Sequence, residues 1–265
     1  MGLPESCKTA LIKTHRVWSH FLPNFYYPYK FEGGRIYLNI KESGMMLRRA
    51  LGRYELTKHE AMKKFLRPDA TFLDIGCNKG DFSLLASRLV GSEGRVLSFE
   101  PHPENCRWIR KSVAKNNYHN VELFELALSD ENGTAHLYIG EKSGFHTLLP
   151  GMPLRGKGMI EVKTRRLDDL LQELRFDRRI DAMKIDVEGA DMKVLRGAEK
   201  TIASNPNIVI FLDVHRTLGV DPKEVCDFLR NFGLSLYEEE PPFNAAVQDY
   251  NSLEALIAMQ APRFG

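Results

Sequence analysis

A doubly wound α/β domain is the fold this sequence predicts, on three observations. From residue 70 to 126, short apolar runs alternate with stretches of helical periodicity. That βαβαβ order, closed by right-handed crossovers, makes a parallel sheet. The first run, Phe72-Leu73-Asp74-Ile75, reads as a strand buried on both faces. It breaks into the turn Gly76-Cys77-Asn78-Lys79-Gly80 and passes into an apolar-periodic stretch from Phe82 to Val90. Strand, glycine turn and helix in that order form a nucleotide-binding crevice. Gly76 and Gly80 let the main chain approach a ligand, and the helix N-terminus points at it.

The residues before this core read as an addition to it. Residues 8–22 carry Leu11, Ile12, Val17, Trp18, Phe21 and Leu22, an amphipathic helix that stops before Pro23. It caps the domain or serves as a lid or homodimer contact. The aromatic cluster from Asn24 to Tyr29 reads as core or interface. Tyr29 to Leu38 predicts a hairpin turning at Gly33-Gly34. A helix from Leu56 to Leu66 follows, ended by Pro68. The chain thus divides into a helix-and-hairpin extension, 1–54, and a ligand-binding domain, 55–265.

Within that domain, strands are predicted at 70–75, 95–100 and 121–126, and helices at 81–90 and 103–116. Residues 134–139 and 160–165 alternate as an inserted pair of strands. The loop between them, 140–158, holds Gly140, Gly144, Pro150, Gly151, Pro153, Gly156 and Gly158. Its length and composition favour a functional loop. Ser143, His146 and Thr147 are its most chemical members, and His146 is either solvated or turned to a substrate. Asp168 reads as the N-cap of the helix carrying Leu170 and Leu171. Then come a strand over 181–187, a helix over 191–202 and a strand over 207–215. A helix over 222–232 starts with Pro222 at its first position. The runs 234–237 and 253–259 complete a sheet of seven strands as an antiparallel pair.

The candidate chemistry sits at strand ends. A dinucleotide site wants G-x-G-x-x-G; here the glycines run Gly76-x-x-x-Gly80, with Asp74 just before them. A carboxylate there is poorly placed beside a pyrophosphate and suits a cationic ligand end, such as the amino group of S-adenosylmethionine. Glu100 ends the second strand, 24 positions after Gly76 (100 − 76), where an acid can accept from both ribose hydroxyls. Further on, Lys184, Asp186 and Glu188 share one face of a regular strand, and Asp213 and His215 share one face of the next. If those strands are neighbours, four polar groups converge on one rim. A lone histidine more often bonds a loop, but acids ending two otherwise apolar strands point to an active site.

Composition narrows the classes. An apolar fraction of 43% supports a full core, and 37 basic against 35 acidic residues give a net charge of +2. Nothing in that balance calls for a nucleic-acid or membrane partner. Cys7, Cys77, Cys106 and Cys226 show no C-x-x-C spacing. That speaks against a structural zinc site and a disulfide framework and fits a reducing cytoplasm. No apolar run approaches transmembrane length, and the first residues lack the apolar stretch of a signal peptide.

With these residues assembled, the sequence resembles the FkbM-type methyltransferases, a branch of the class I S-adenosylmethionine-dependent enzymes. The resemblance runs from about residue 30 to 240. It is carried by Tyr54-Glu55, Asp74-Ile75-Gly76-Cys77-Asn78-Lys79-Gly80, Phe99-Glu100-Pro101, Ala127-Leu128-Ser129-Asp130, Leu167-Asp168-Asp169-Leu170-Leu171 and, most specifically, Met183-Lys184-Ile185-Asp186-Val187-Glu188-Gly189-Ala190. Cys77, Asp191 and Asp213 depart from it conservatively. The resemblance implies methyl transfer to a hydroxyl, most readily on a sugar or other natural-product acceptor. It implies a donor site made of Glu55, Asp74, Gly76, Asn78, Gly80, Phe82, Glu100, Pro101, Ala127 and Asp186. Glu55 reads equally as a first-turn acid complementing its helix dipole. His215, with Asp186 and Asp213, is the expected catalytic group, and His215 suits a general base if its pKa is near neutral. A divalent metal on Asp186, Asp213 and His215 stays open. Two alternatives also stay open: an NAD-linked oxidoreductase, and a methyltransferase-like fold used only for binding.

Overall fold

The computed structural model describes residues 21, 23, 25–40, 55–140, 143–150, 158–250 and 252–261. The helix predicted over 8–22 lies outside the described residues except for Phe21, and so does Tyr54. The chain opens with a hairpin, β1 (Tyr26–Phe31) and β2 (Gly34–Asn39). The aromatic cluster is thus largely the first strand. The turn falls on Glu32-Gly33, one residue earlier than predicted, because both take positive φ, 43° and 80°, as a two-residue hairpin turn requires.

In chain order follow α1 (Leu56–Phe65), β3 (Thr71–Ile75), α2 (Asp81–Val90), β4 (Arg95–Phe99), α3 (Pro103–Asn116) and β5 (Val121–Phe124). Next come β6 (Ala127–Leu128), β7 (Gly133–Tyr138), β8 (Met159–Arg165), α4 (Leu167–Glu173), β9 (Ala182–Ile185), α5 (Asp191–Gly197) and α6 (Glu199–Ser204). The chain ends with β10 (Val209–Asp213), α7 (Pro222–Asn231), β11 (Ser235–Glu238) and β12 (Ala255–Met259). The central sheet has seven strands in the order β11-β12-β10-β9-β3-β4-β5. Its strands are parallel except that β12 runs antiparallel to both β10 and β11. A smaller sheet, β6-β8-β7, leans out from the insertion.

Both faces of the central sheet are covered. Leu73, Ile75, Met183, Ile185, Ile210 and Leu212 face one core with α4 to α7. Phe72, Val96, Ala182, Phe211 and Ile257 face the other, with α1, α2 and the hairpin. This period-two split explains why the strands read as unbroken apolar runs. Each fully buried Leu, Ile or Phe contributes about 1.5–3 kcal/mol. The hairpin docks on α3 through Tyr26 stacked on Trp108 at 3.7 Å and through Asn116, which accepts from the Arg35 amide at 2.7 Å.

Two expectations are corrected here. The helix over 191–202 is two helices, broken at Ala198. Gly197 lies so close to the Ser129 carbonyl that a Cβ would come within 2.0 Å of its oxygen. Asp168 does not cap its own helix, whose N-cap is Arg166. Its carboxylate accepts instead from the Lys200 and Thr201 amides, at 2.9 and 2.8 Å. It thus satisfies the first turn of α6, which the break leaves without partners.

Candidate functional site: two cavities with one mouth

The crossing point of the strand order lies between β3 and β9, where the chain turns away on both sides and a crevice opens at the strands' C-terminal ends. Gly76 adopts φ 76° there and passes so close to β9 that a Cβ would stand 1.9 Å from the Asp186 carbonyl oxygen. Asn78 also has positive φ, 49°. Its amide donates to Glu100 at 2.8 Å, and Glu100 also accepts from the His102 amide and the Asn105 side chain, at 2.9 and 3.1 Å. Glu100 is buried, and loss of water pushes its carboxyl up to about 7 against those three donors.

These residues bound a narrow slot with Gly76, Asn78, Glu100, Pro101, Ala127 and Asp186 in its walls. Its apolar sides come from Ile75, Phe99, Leu126, Leu128, Leu137 and Leu148. The described part of the 140–158 loop folds over it. His146 stacks on His102 with ring centroids 4.5 Å apart and accepts from the Gly140 amide at 3.1 Å. Burial, then His102 and Lys79, lower its pKa to about 4, so the ring is neutral. His146 lines the slot and not the wider cavity beside it.

Four expected donor residues do not line the slot, and one of them, Glu55, lines the wider cavity beside it. Asp74 lies beneath it, fully buried, and accepts from Ser83 at 2.5 Å. Burial raises its pKa to about 6, opposed by Lys184 on the neighbouring strand. Phe82 packs in the core, with the Lys184 ammonium 4.8 Å above its ring. Gly80, at φ 84°, forms the N-cap of α2.

The second cavity is a basin of about 960 Å³, at the upper end of the usual range for ligand pockets. Glu55, Lys58, Asp213, His215, Glu238, Glu239 and Glu240 are among its walls. It shares Asn78, Gly144, Asp186 and Glu188 with the slot, so the two cavities meet at one mouth. Lys58, which the sequence reading missed, is buried and donates to both Asp213 oxygens at 2.5 and 2.6 Å. Glu55 and Glu239 stand 3.6 and 3.8 Å from its ammonium.

Asp213 is therefore turned to Lys58 rather than to His215. The His215 ring is held instead between Asp191 at Nδ1, 3.0 Å away, and Asp186 and Glu188 near Nε2, at 3.4 and 3.8 Å. Burial lowers its pKa, but the hydrogen bonds to Asp186 and Asp191 outweigh that and bring it to about 10. The near-neutral value expected of a histidine base is thereby corrected: the ring is an imidazolium at pH 7. Asp186, although partly desolvated, is held well below the usual carboxylate range by Lys184, 3.1 Å from Oδ2, and by His215. The metal set left open on Asp186, Asp213 and His215 is not assembled, because Asp213 is paired with Lys58. Asp186, Glu188 and His215 do bring one nitrogen or oxygen each within 4.8 Å of one another. Lys184 and the ring's own proton supply the positive charge of that group, and no metal is assigned to it.

Residues 74–236 match the family described as the methyltransferase FkbM domain. The chain belongs to this family. It is an S-adenosylmethionine-dependent methyltransferase domain, and the NAD-linked alternative falls with that assignment. The chain is similar to the 2-O-methyltransferase NoeI of Sinorhizobium fredii, 30% identical over 150 residues, covering 51% of this chain and 60% of that protein. It is also similar to the methyltransferase sdnD of Sordaria araneosa, 31% identical over 156 residues, covering 48% and 60%. The match thus spans about three fifths of the length of these relatives. A solved structure of an FkbM methyltransferase from Methylobacillus flagellatus aligns over 96% of this chain and 60% of that one, with a TM-score of 0.48 and 11% identity. No helix among the described residues is long and apolar enough to cross a membrane. Cys77, Cys106 and Cys226 are buried and free.

Proposed function

We propose that this domain transfers the methyl group of S-adenosylmethionine to a hydroxyl of a sugar or other small natural product. The observation that carries the reading is the shared mouth. A narrow slot with apolar walls and the Glu100 carboxylate opens at Asn78, Gly144, Asp186 and Glu188 into a polar basin wide enough for a hydroxylated acceptor. The residues suit the donor. Glu100 is placed to accept from ribose hydroxyls, and the apolar walls with the main chain at Ala127 suit an adenine ring. The Asn78 side-chain oxygen is buried without a partner, and Asn78 lines both cavities where they meet. Asp74, Gly80 and Phe82 shape this wall from beneath, and Glu55 adds a carboxylate from the basin side.

The bound donor supplies an electrophilic methyl group that needs no further activation. The chain's own task is to hold the acceptor in line, remove water and take one proton. Lys184 and Lys58 neutralise Asp186 and Asp213, so the rim stays folded around its charges. Protonated His215 fixes Asp186 and Glu188 at the mouth. The name of the 2-O-methyltransferase relative favours oxygen as the acceptor atom.

The experiment is a calorimetric titration with S-adenosylmethionine, followed by transfer of its labelled methyl group to a panel of sugars, polyketide alcohols, amines and carbon acids. Donor binding with transfer to oxygen supports the reading. Donor binding with transfer only to nitrogen or carbon acceptors overturns the hydroxyl assignment.

A further inference from the structure

We propose that Glu188 is the residue that takes the acceptor's proton; the inference rests on the methyl-transfer reading above. Among the described residues two acids line both cavities, Asp186 and Glu188, and a group that receives a proton from an oxygen under attack must reach that junction. Asp186 is committed: Lys184 and His215 engage its two oxygens, at 3.1 and 3.4 Å. Asp213 is bound to Lys58, and His215 already carries its proton, held from behind by the fully buried Asp191. Among the described residues Glu188 has no ion-pair partner closer than His215 Nε2 at 3.8 Å. Burial, with Asp186, Asp191 and Asp213 nearby and only His215 opposing, raises its carboxyl to about 7, where a general base works best at neutral pH.

The backbone gives independent support. Glu188 sits at φ 49° and Gly189 at φ 97°. A non-glycine residue in that region is strained by about 1–3 kcal/mol and persists only where its surroundings enforce it, in tight turns such as that at Glu32 and at active sites and ligand clamps. Here Thr147, from the loop over the slot, donates to the Glu188 carbonyl at 2.6 Å. A Cβ at position 189 would stand 2.5 Å from Leu149. The loop and the turn are thus clipped together at the residue whose carboxylate enters the mouth.

In the step, the acceptor oxygen bonds to the methyl carbon. The carbon–sulfur electron pair stays on sulfur, which becomes a neutral thioether. The O–H proton passes to the Glu188 carboxylate and leaves through the basin.

The test compares wild type, Glu188→Gln, Glu188→Asp and His215→Gln with methyl α-glucopyranoside as probe acceptor. Expected for Glu188→Gln is a loss of turnover of about 10²–10⁴-fold, with donor affinity by calorimetry within about threefold of wild type. Expected for Glu188→Asp is a smaller loss. A second readout needs no turnover: carbon-13 titration of side-chain carboxyls in protein loaded with S-adenosylhomocysteine. A signal titrating near pH 7 and missing in Glu188→Gln supports the proposal. It is overturned if Glu188→Gln keeps a tenth of wild-type turnover, if turnover and donor affinity fall together, or if Glu188 titrates in the ordinary carboxylate range. If wild type binds the donor but methylates no hydroxyl of the probe, the sugar-acceptor reading fails on its own, and the carboxyl titration decides Glu188.

Discussion

The slot and the basin lie side by side, yet they are built on opposite principles. The slot is apolar, with one buried acid whose three donors come from within five residues of it or from the neighbouring turn. The basin is a mesh of charges drawn from distant parts of the chain: Lys58 reaches Asp213 across 155 positions, and His215 reaches Asp191 across 24. The slot is therefore fixed by local turn chemistry, and the basin by tertiary pairing. The difference predicts which changes damage one region, which damage the other, and which damage both.

The largest effect is expected at the joint. Gly76→Ala adds a Cβ in a left-handed conformation and against a main-chain oxygen that cannot move aside. Strain and overpacking together give the upper end of roughly 2–6 kcal/mol. Urea unfolding should show that loss, and donor binding should vanish with it. Next, Lys58→Met leaves Asp213, Glu55 and Glu239 facing one another. Breaking a buried pair costs about 3–5 kcal/mol, and the lower end applies because the Asp213 side chain is 21% exposed. The thermal midpoint should fall while the remaining folded protein still binds the donor. Third, Glu100→Ala removes a charge-assisted acceptor. A loss of about 1.5–3 kcal/mol weakens the donor roughly ten- to a hundred-fold, with little change in the basin.

The last effect, spread over several groups rather than set by one contact, is a pH dependence that both regions share. Glu100, Glu188 and Glu239 have carboxyls raised from 4.5 to about 7 by burial. Between those values the folded protein holds protons that the unfolded chain has released, so stability falls as pH rises through the window. His215 is raised from 6.5 to about 10; its contribution is full below 6.5 and is lost as pH rises towards 10. All four slopes have the same sign. His146, lowered from 6.5 to about 4, has the opposite slope below 6.5, so the thermal midpoint of the donor-free protein should decline from about pH 6.5 to pH 9, and a midpoint that rises over that window contradicts these assignments. Donor affinity should move the other way, strengthening as Glu100 ionises around pH 7.

How much of this was legible in the sequence follows the same division. The strand–turn–helix from Thr71 to Val90 and the acid at Glu100 could be read because their constraints are local: positive φ at Gly76 and Gly80, and an acid at a strand end. The parallel sheet followed from alternating elements and right-handed crossovers, but its strand order did not, and the adjacency of the strands ending at Asp186 and Asp213 was only a condition. Lys58 was not legible. Helical periodicity counts Leu56 as an inward residue and Lys58 as an outward one, yet Leu56 is 48% exposed and Lys58 3%. Only the carboxylates across the crevice reverse that order. His215 was found as a residue but its charge was not, because Asp191 lies on a different element. The break at Ala198 depends on Ser129 passing against Gly197, and the role of Asp168 depends on that break. None of these contacts leaves a periodic trace. Asp191 is flanked by Ala190 and Met192 and could have been singled out, whereas Glu239 sits in the run Glu238-Glu239-Glu240, and nothing in its spacing tells it from a solvated charge.

The central claim is that the slot, and not the basin, holds the donor. Calorimetric titration of S-adenosylmethionine into wild type, Glu100→Ala and His215→Gln tests it most directly. The account predicts affinity weakened about ten- to a hundred-fold in Glu100→Ala and within about threefold of wild type in His215→Gln, since His215 does not line the slot. Equal losses in the two variants, or wild-type affinity in Glu100→Ala, would contradict it.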